Sequence, residues 1–299
     1  MKSIKAFTLV ELLVVIAIIA VLMSILMPAL QTARMQATGA VCLGNQRALS
    51  QAYALYTDDN DGRLVGSYVT SPDDGLPYDS SWVCLPMAED GTILNRGSSN
   101  PDGTGGDFAT LEDRQRGIRA GKIYPYVESY DIYHCPGDDR IKNGTYAGSS
   151  LVHRVFRSYS IQFGLNNPGQ DGLCPEGKGV IRRFSELRNP GATYSTIEEP
   201  GGAWVFNCNT GFILDGVNFS GWWWSIVPNW HRDNGTLGFV DGHAETRRWV
   251  DDRTRNLEFS SGFGDMDDAY QPDNPDLHYI FRGYAINKYW DQSWMVFDN

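Results

Sequence analysis

The sequence lacks the familiar signatures of catalysis and metal binding. None of its five cysteines (Cys42, Cys84, Cys135, Cys174, Cys208) falls in a CxxC pair, which argues against a zinc ribbon or a thioredoxin-type redox motif. There is no GxSxG elbow and no HExxH pair, so the common serine-hydrolase and zinc-protease patterns are missing. Net positive charge is missing too. A balance of −11 at pH 7 leaves no net positive charge to neutralise phosphates and argues against a nucleic-acid partner. It reads as a solvated acidic surface. Charge is scarcest between Phe7 and Leu30, where Glu11 stands alone.

That stretch dominates what is present. Leu12 to Met27 is apolar at every position except Ser24, long enough with its flanks to cross about 30 Å of hydrocarbon as a helix. Lys2 and Lys5 precede it. The positive-inside rule therefore keeps the N-terminus cytoplasmic and exports the rest. Met27-Pro28-Ala29 is a poor signal-peptidase site. Neither a secretory signal nor a plain anchor explains Glu11. A carboxylate at mid-bilayer costs about 2.5–3.5 kcal/mol on insertion scales, so its retention points to function.

The segment KAFTLVELLVVIAIIAVLMSILMPAL resembles the class III signal of bacterial type IV prepilins and type II secretion pseudopilins. The resemblance implies a membrane prepilin peptidase that cuts between Ala6 and Phe7 and methylates the new amine of Phe7. The family usually has Gly before the cut, where this chain has Ala6. It further implies that Glu11 pairs with the freed amine of a neighbouring pilin-like subunit during assembly. An amine and a carboxylate, each costly alone in lipid, then offset one another. Pro28 falls where such helices often carry a proline, and it cannot donate an amide hydrogen bond. The implied product is a subunit of a type IV pilus or a type II secretion pseudopilus. It would be a single-pass protein of the bacterial inner membrane with its head in the periplasm or outside.

Beyond Pro28, the positions Leu30, Ala33, Ala37, Val41, Ala48, Ala52 and Tyr56 recur at roughly helical spacing. One helix is expected over 7–57, about 75 Å long, transmembrane over about 7–29. It ends at the DDNDG turn signal. TDDNDGRL resembles the start of a calcium loop, but Thr57 stands where the first Asp should be and Tyr68 where the bidentate Glu should be. A helix-terminating turn is the better reading.

The division expected is a leader at 1–6, the helix at 7–57 and a β-rich head at 58–299. Strands are expected at 158–165, 192–199, 202–207, 221–227, 236–240, 244–250 and 278–285. The fold class is α+β, with the long helix laid on an antiparallel sheet in a pilin-like manner.

A second resemblance lies in WHRDNGTLGFVDGHAE, which is similar to the His-x9-Asp-Gly signature of a group of prepilin-type proteins. His231, Asp241 and Gly242 occupy its positions. The group also tends to have a Cys and an Asn in a helix, as in CLGNQRALSQAYALYTDDNDGR, and a Cys-Pro-x-Asp turn, as in HCPGDD. Cys42 and Cys135 lie in those two segments and are disulfide candidates. Closing that long loop contributes about 4–5 kcal/mol in the chain-entropy model. Cys174 with Cys208 is a weaker pairing.

His231, Asp241 and His243 also suit a catalytic or metal-binding set, yet a hairpin turning at Asp-Gly accounts for the pattern more simply. Asp265, Asp267, Asp268 and Asp273 form an oxygen-rich segment able to hold calcium, but at no recognised spacing. Trp222, Trp223 and Trp224 alternate faces on any strand, so one of them should face outward. That platform suits a polysaccharide ligand, and it supports the alternative of a membrane-anchored glycan-binding head.

Overall fold

The computed structural model describes residues 8–67, 81–94, 110–138, 157–166, 181–199, 225, 227–256 and 270–285. Helix α1 runs from Leu9 to Asp59, continuous through Pro28. Thr8 starts it with a capping box. Its hydroxyl accepts from the Glu11 amide at 3.3 Å, and Glu11 Oε2 accepts from the Thr8 amide at 2.8 Å. The helix stops where Asp61 and Gly62 take positive φ, and the Gly62 amide closes on the Thr57 carbonyl at 2.9 Å.

The head follows. Helix α2 (Leu111–Ala120) and the short α3 (Tyr124–Val127) lead to a 3-10 turn at Asp131–Tyr133. Strands β1 (Tyr159–Ile161), β2 (Tyr194–Glu198), β3 (Asn234–Phe239) and β4 (Ala244–Arg248) form one antiparallel sheet in the order β1-β2-β3-β4. Short helices α4 (Asp252–Arg255) and α5 (Pro275–Arg282) complete the described chain. The fold is α+β, a long apolar helix with an antiparallel sheet, as a pilin-like fold requires.

The C-terminal part of α1 packs on the sheet. Its buried residues are Cys42, Gln46, Leu49, Ser50, Ala52, Tyr53, Tyr56 and Thr57. Ala52 and Tyr56 of the expected stripe are buried here, but its earlier positions are not. Leu30, Ala33, Ala37 and Val41 are exposed. Polar Gln46 and Ser50 take core positions because the sheet supplies partners: Gln46 Nε2 donates to the Thr236 carbonyl at 3.0 Å, and the Ser50 and Ser195 hydroxyls meet at 3.2 Å. Gly238 permits this closeness, since a Cβ there would lie 1.9 Å from Ser50 Oγ. A second core layer joins Tyr194, Ile197, Leu237 and Trp249 to Leu277, Ile280 and Phe281 of α5.

One expected strand is a helix. Residues 278–285 fall largely in α5, because Asn274 caps it, Pro275 fits the first turn, and Leu277, Ile280 and Phe281 repeat at helical spacing onto the core. The candidate strand at 202–207 lies outside the described residues, as does most of 221–227.

Candidate functional site

Four buried side chains from four separate segments meet where α1 enters the head. Cys42 comes from α1. Cys135 follows the 3-10 turn and opens a tight turn, in which the Asp138 amide donates to the Cys135 carbonyl at 2.9 Å. Glu198 ends β2, and His231 sits in the loop before β3. All four are buried, and their ligand-type atoms lie within 4.8 Å of one another. The two thiols are free, with their sulfurs 2.7 Å apart. His231 Nε2 lies 3.3 Å from Cys135 Sγ and 3.0 Å from Glu198 Oε1.

The surroundings orient each group. Glu198 accepts from the Thr236 amide at 3.1 Å and from its hydroxyl at 2.8 Å. The Thr38 hydroxyl donates to the Met35 carbonyl at 2.9 Å. Its oxygen is therefore left to accept from His231 Nδ1–H, 3.3 Å away. The Nε2 atom is then the one that faces the sulfurs and the carboxylate.

The proton affinities follow from these contacts. The hydrogen bond with Cys135 lowers the Cys42 thiol to about 6, against the effect of burial. Burial pushes Cys135 far above the ordinary thiol range, and its contact with Cys42 adds to that. For His231, burial favours the neutral ring. Hydrogen bonds with Cys42 and Glu198, and the charge of Glu198, outweigh it and raise the imidazole to about 10. The cluster can thus hold one sulfur as thiolate beside an imidazolium.

The hairpin expected at Asp241-Gly242 joins β3 to β4, but its loop has three residues. The Gly242 amide donates to the Phe239 carbonyl at 3.0 Å, and the Phe239 amide donates to the His243 carbonyl at 2.8 Å. Gly242 alone of the loop has positive φ, at 92°. A two-residue type I′ turn would need Asp241 there as well. The structure does not join His231 to Asp241 in one site. Asp241 hydrogen-bonds His243 at the exposed turn, and the His243 ring stacks on Phe239.

Other candidates separate as follows. Asp273 is exposed and ion-pairs with Arg253 at 2.8 Å. Asp265, Asp267, Asp268, Trp222, Trp223, Trp224, Cys174 and Cys208 lie outside the described residues, as do Ala6 and Phe7. Glu11 is described, exposed on α1, and its carboxylate accepts from the Thr8 amide and hydroxyl. That capping role was open to sequence reasoning, since TLVE spells a capping box. The Cys42–His231–Glu198 association was not, because no local spacing links these positions.

The apolar half of α1 stands clear of the head. Its most apolar 18-residue window has mean hydropathy 3.1 and is 0% buried. The profile of the prokaryotic N-terminal methylation motif matches residues 1–27. The match supports a type IV prepilin-like N-terminus. No curated protein and no solved structure gives a significant match.

The matched segment includes Ala6, Phe7 and Glu11 and stops just before Pro28. The motif implies processing by a prepilin peptidase and assembly with other pilins. With one membrane-length apolar helix among the described residues, it fits a membrane-anchored, single-pass protein. The further likeness to the His-x9-Asp-Gly group rests on His231, Asp241 and Gly242 themselves.

Proposed function

We propose that this chain is a structural subunit of a type IV pilus or type II secretion pseudopilus, not an enzyme. It inserts with its N-terminus in the cytoplasm, is cut between Ala6 and Phe7, and is methylated on Phe7. The apolar half of α1 then holds it in the membrane until assembly, when the same surface packs against neighbouring subunits. One observation carries this reading: Leu9 to Leu30 offers an uncovered apolar surface, with Leu9 78% and Leu30 71% exposed, while one face of the same helix is buried from Cys42 onward. Such a surface needs lipid or other helices around it.

Glu11 has a defined part. In the single chain its carboxylate caps its own helix through Thr8. Cleavage creates a free amine at Phe7, next to that cap. In the assembled state the carboxylate gains the amine of a neighbouring subunit as a partner for its charge. Ala6, small like the usual glycine, serves the peptidase, and Pro28 marks a point where the helix has one fewer backbone hydrogen bond.

The test is N-terminal peptide mass spectrometry on protein from native membranes, beside an Ala6→Asp variant. A chain that begins at N-methyl-Phe7, and is lost in the variant, supports the reading. A chain still beginning at Met1 overturns it.

A further inference from the structure

We propose that Cys42, Cys135, His231 and Glu198 form a closed four-ligand site for a zinc-class divalent cation, which pins helix α1 to the head. The donor set is two sulfurs, one imidazole nitrogen and one carboxylate oxygen. Zinc takes this mixture in tetrahedral sites, whereas an all-oxygen shell would suit calcium or magnesium. All four residues are buried, Cys42 and Cys135 at 0%, Glu198 at 1% and His231 at 4% exposure. A site so enclosed leaves no open coordination position, which makes it structural.

The distances are close to those of a loaded site. Bonds of about 2.0–2.3 Å set neighbouring ligand atoms roughly 3.3–3.8 Å apart. Cys135 Sγ to His231 Nε2 is 3.3 Å and His231 Nε2 to Glu198 Oε1 is 3.0 Å. The two sulfurs, at 2.7 Å, need to part by about 1 Å to reach that range. Cys42 lies on a helix side chain and Cys135 on a turn, so rotation about their Cα–Cβ bonds can supply the movement.

Three of the four ligands also have an outer partner, as metal-binding groups do. His231 Nδ1–H is directed to Thr38 Oγ1, which turns Nε2 to the centre. Glu198 is held by the Thr236 amide and hydroxyl. The Gly137 amide donates to Cys135 Sγ at 3.3 Å. On binding, the cation takes the place of any proton on Nε2 and on the sulfurs, and no electron is transferred. A disulfide between Cys42 and Cys135 would instead consume two of the four ligands. A neutral bridge also has no need of a buried carboxylate and imidazole beside it.

The experiment uses the full chain, solubilised in detergent. Zinc content is measured by elemental mass spectrometry, and Co²⁺ is then exchanged in as a spectroscopic probe. The expected result is one zinc per chain and a sulfur-to-cobalt charge-transfer band. Cys42→Ser and the shape-conserving Glu198→Gln should weaken or abolish the band, and His243→Ala should leave it intact. Intact-mass and peptide analysis without reduction guards against variants that fail to fold. Wild-type protein that is lighter by two hydrogens, with a peptide joining Cys42 to Cys135, overturns the proposal. Reduced wild-type protein that retains no zinc and gives no charge-transfer band overturns it equally.

Discussion

Gln46 of α1 donates to the backbone carbonyl of Thr236 in β3 at 3.0 Å, in a position with no solvent exposure. Its own carbonyl accepts from the Thr196 hydroxyl of β2. One side chain thus ties the helix to two strands. Gln46→Leu leaves two buried polar groups without this partner, and each such group costs about 1–3 kcal/mol. Chemical denaturation should show a loss of about 2–6 kcal/mol for the two groups together. An unchanged midpoint would mean that water or a side-chain shift replaces the glutamine.

Gly238 faces the same helix. A Cβ at this position would meet Ser50 Oγ at 1.9 Å, Thr196 Oγ1 at 2.5 Å and the Gln46 carbonyl at 2.9 Å. Gly238→Ala should cost about 1–3 kcal/mol, the usual range for overpacking. Removing the nearest obstacle with Ser50→Gly should recover part of the loss in the double variant. Additive losses in that cycle would show that Ser50 is not what resists the methyl group.

Glu11 has two roles to separate. Glu11→Gln retains a side-chain acceptor for the Thr8 amide and so preserves the capping box. It removes the charge that the proposed inter-subunit amine requires. Mature N-methyl-Phe7 should still form in this variant, while filament recovery by shearing and electron microscopy should fall sharply. Normal filament yield would reduce Glu11 to a helix cap.

The start of α2 predicts a pH effect. Asp113 is buried, caps the helix with Thr110, and ion-pairs with Arg116. The Thr110 hydroxyl chiefly holds its carboxyl below the ordinary aspartate value, against burial, with the Thr110 amide and Arg116 adding to the effect. A depressed carboxyl stabilises the fold fully above the unfolded value, near 3.8. The contribution is lost as pH falls through the lower folded value. Asp113→Ala should cost about 1 kcal/mol near neutrality. The gap in unfolding temperature between variant and wild type should close under strongly acid conditions. A gap independent of pH would locate the effect in packing.

The expected strands at 158–165, 192–199 and 244–250 each contain an observed strand and 236–240 overlaps β3, because β-branched and aromatic residues between turn signals favour extended chain. The 278–285 segment shares that composition yet is helical over much of its length. Asn274 and Pro275 lie upstream of that segment, and they set the helix start. Aromatic content alone could not weigh that cap against strand propensity.

What the sequence determined by itself was local and one-dimensional. A single charge in a long apolar run, lysines before it and an aromatic after a small residue mark a membrane helix with a prepilin-type start, because length, hydropathy and peptidase recognition are read along the chain. The DDNDG stop and the Asp-Gly hairpin are equally local, since backbone torsions decide them. Ala52 and Tyr56 marked part of the buried face of α1, and only the tertiary structure decided where that face begins and which polar residues share it. Gln46 and Ser50 belong in the core by virtue of partners on β2 and β3, and no periodicity of apolar residues contains that fact. It also decided that His231 joins Cys42, Cys135 and Glu198 while Asp241 turns away to His243. These four residues are separated by tens of positions. Their meeting depends on where helix, turn, strand and loop pack together, which is a property of the folded core.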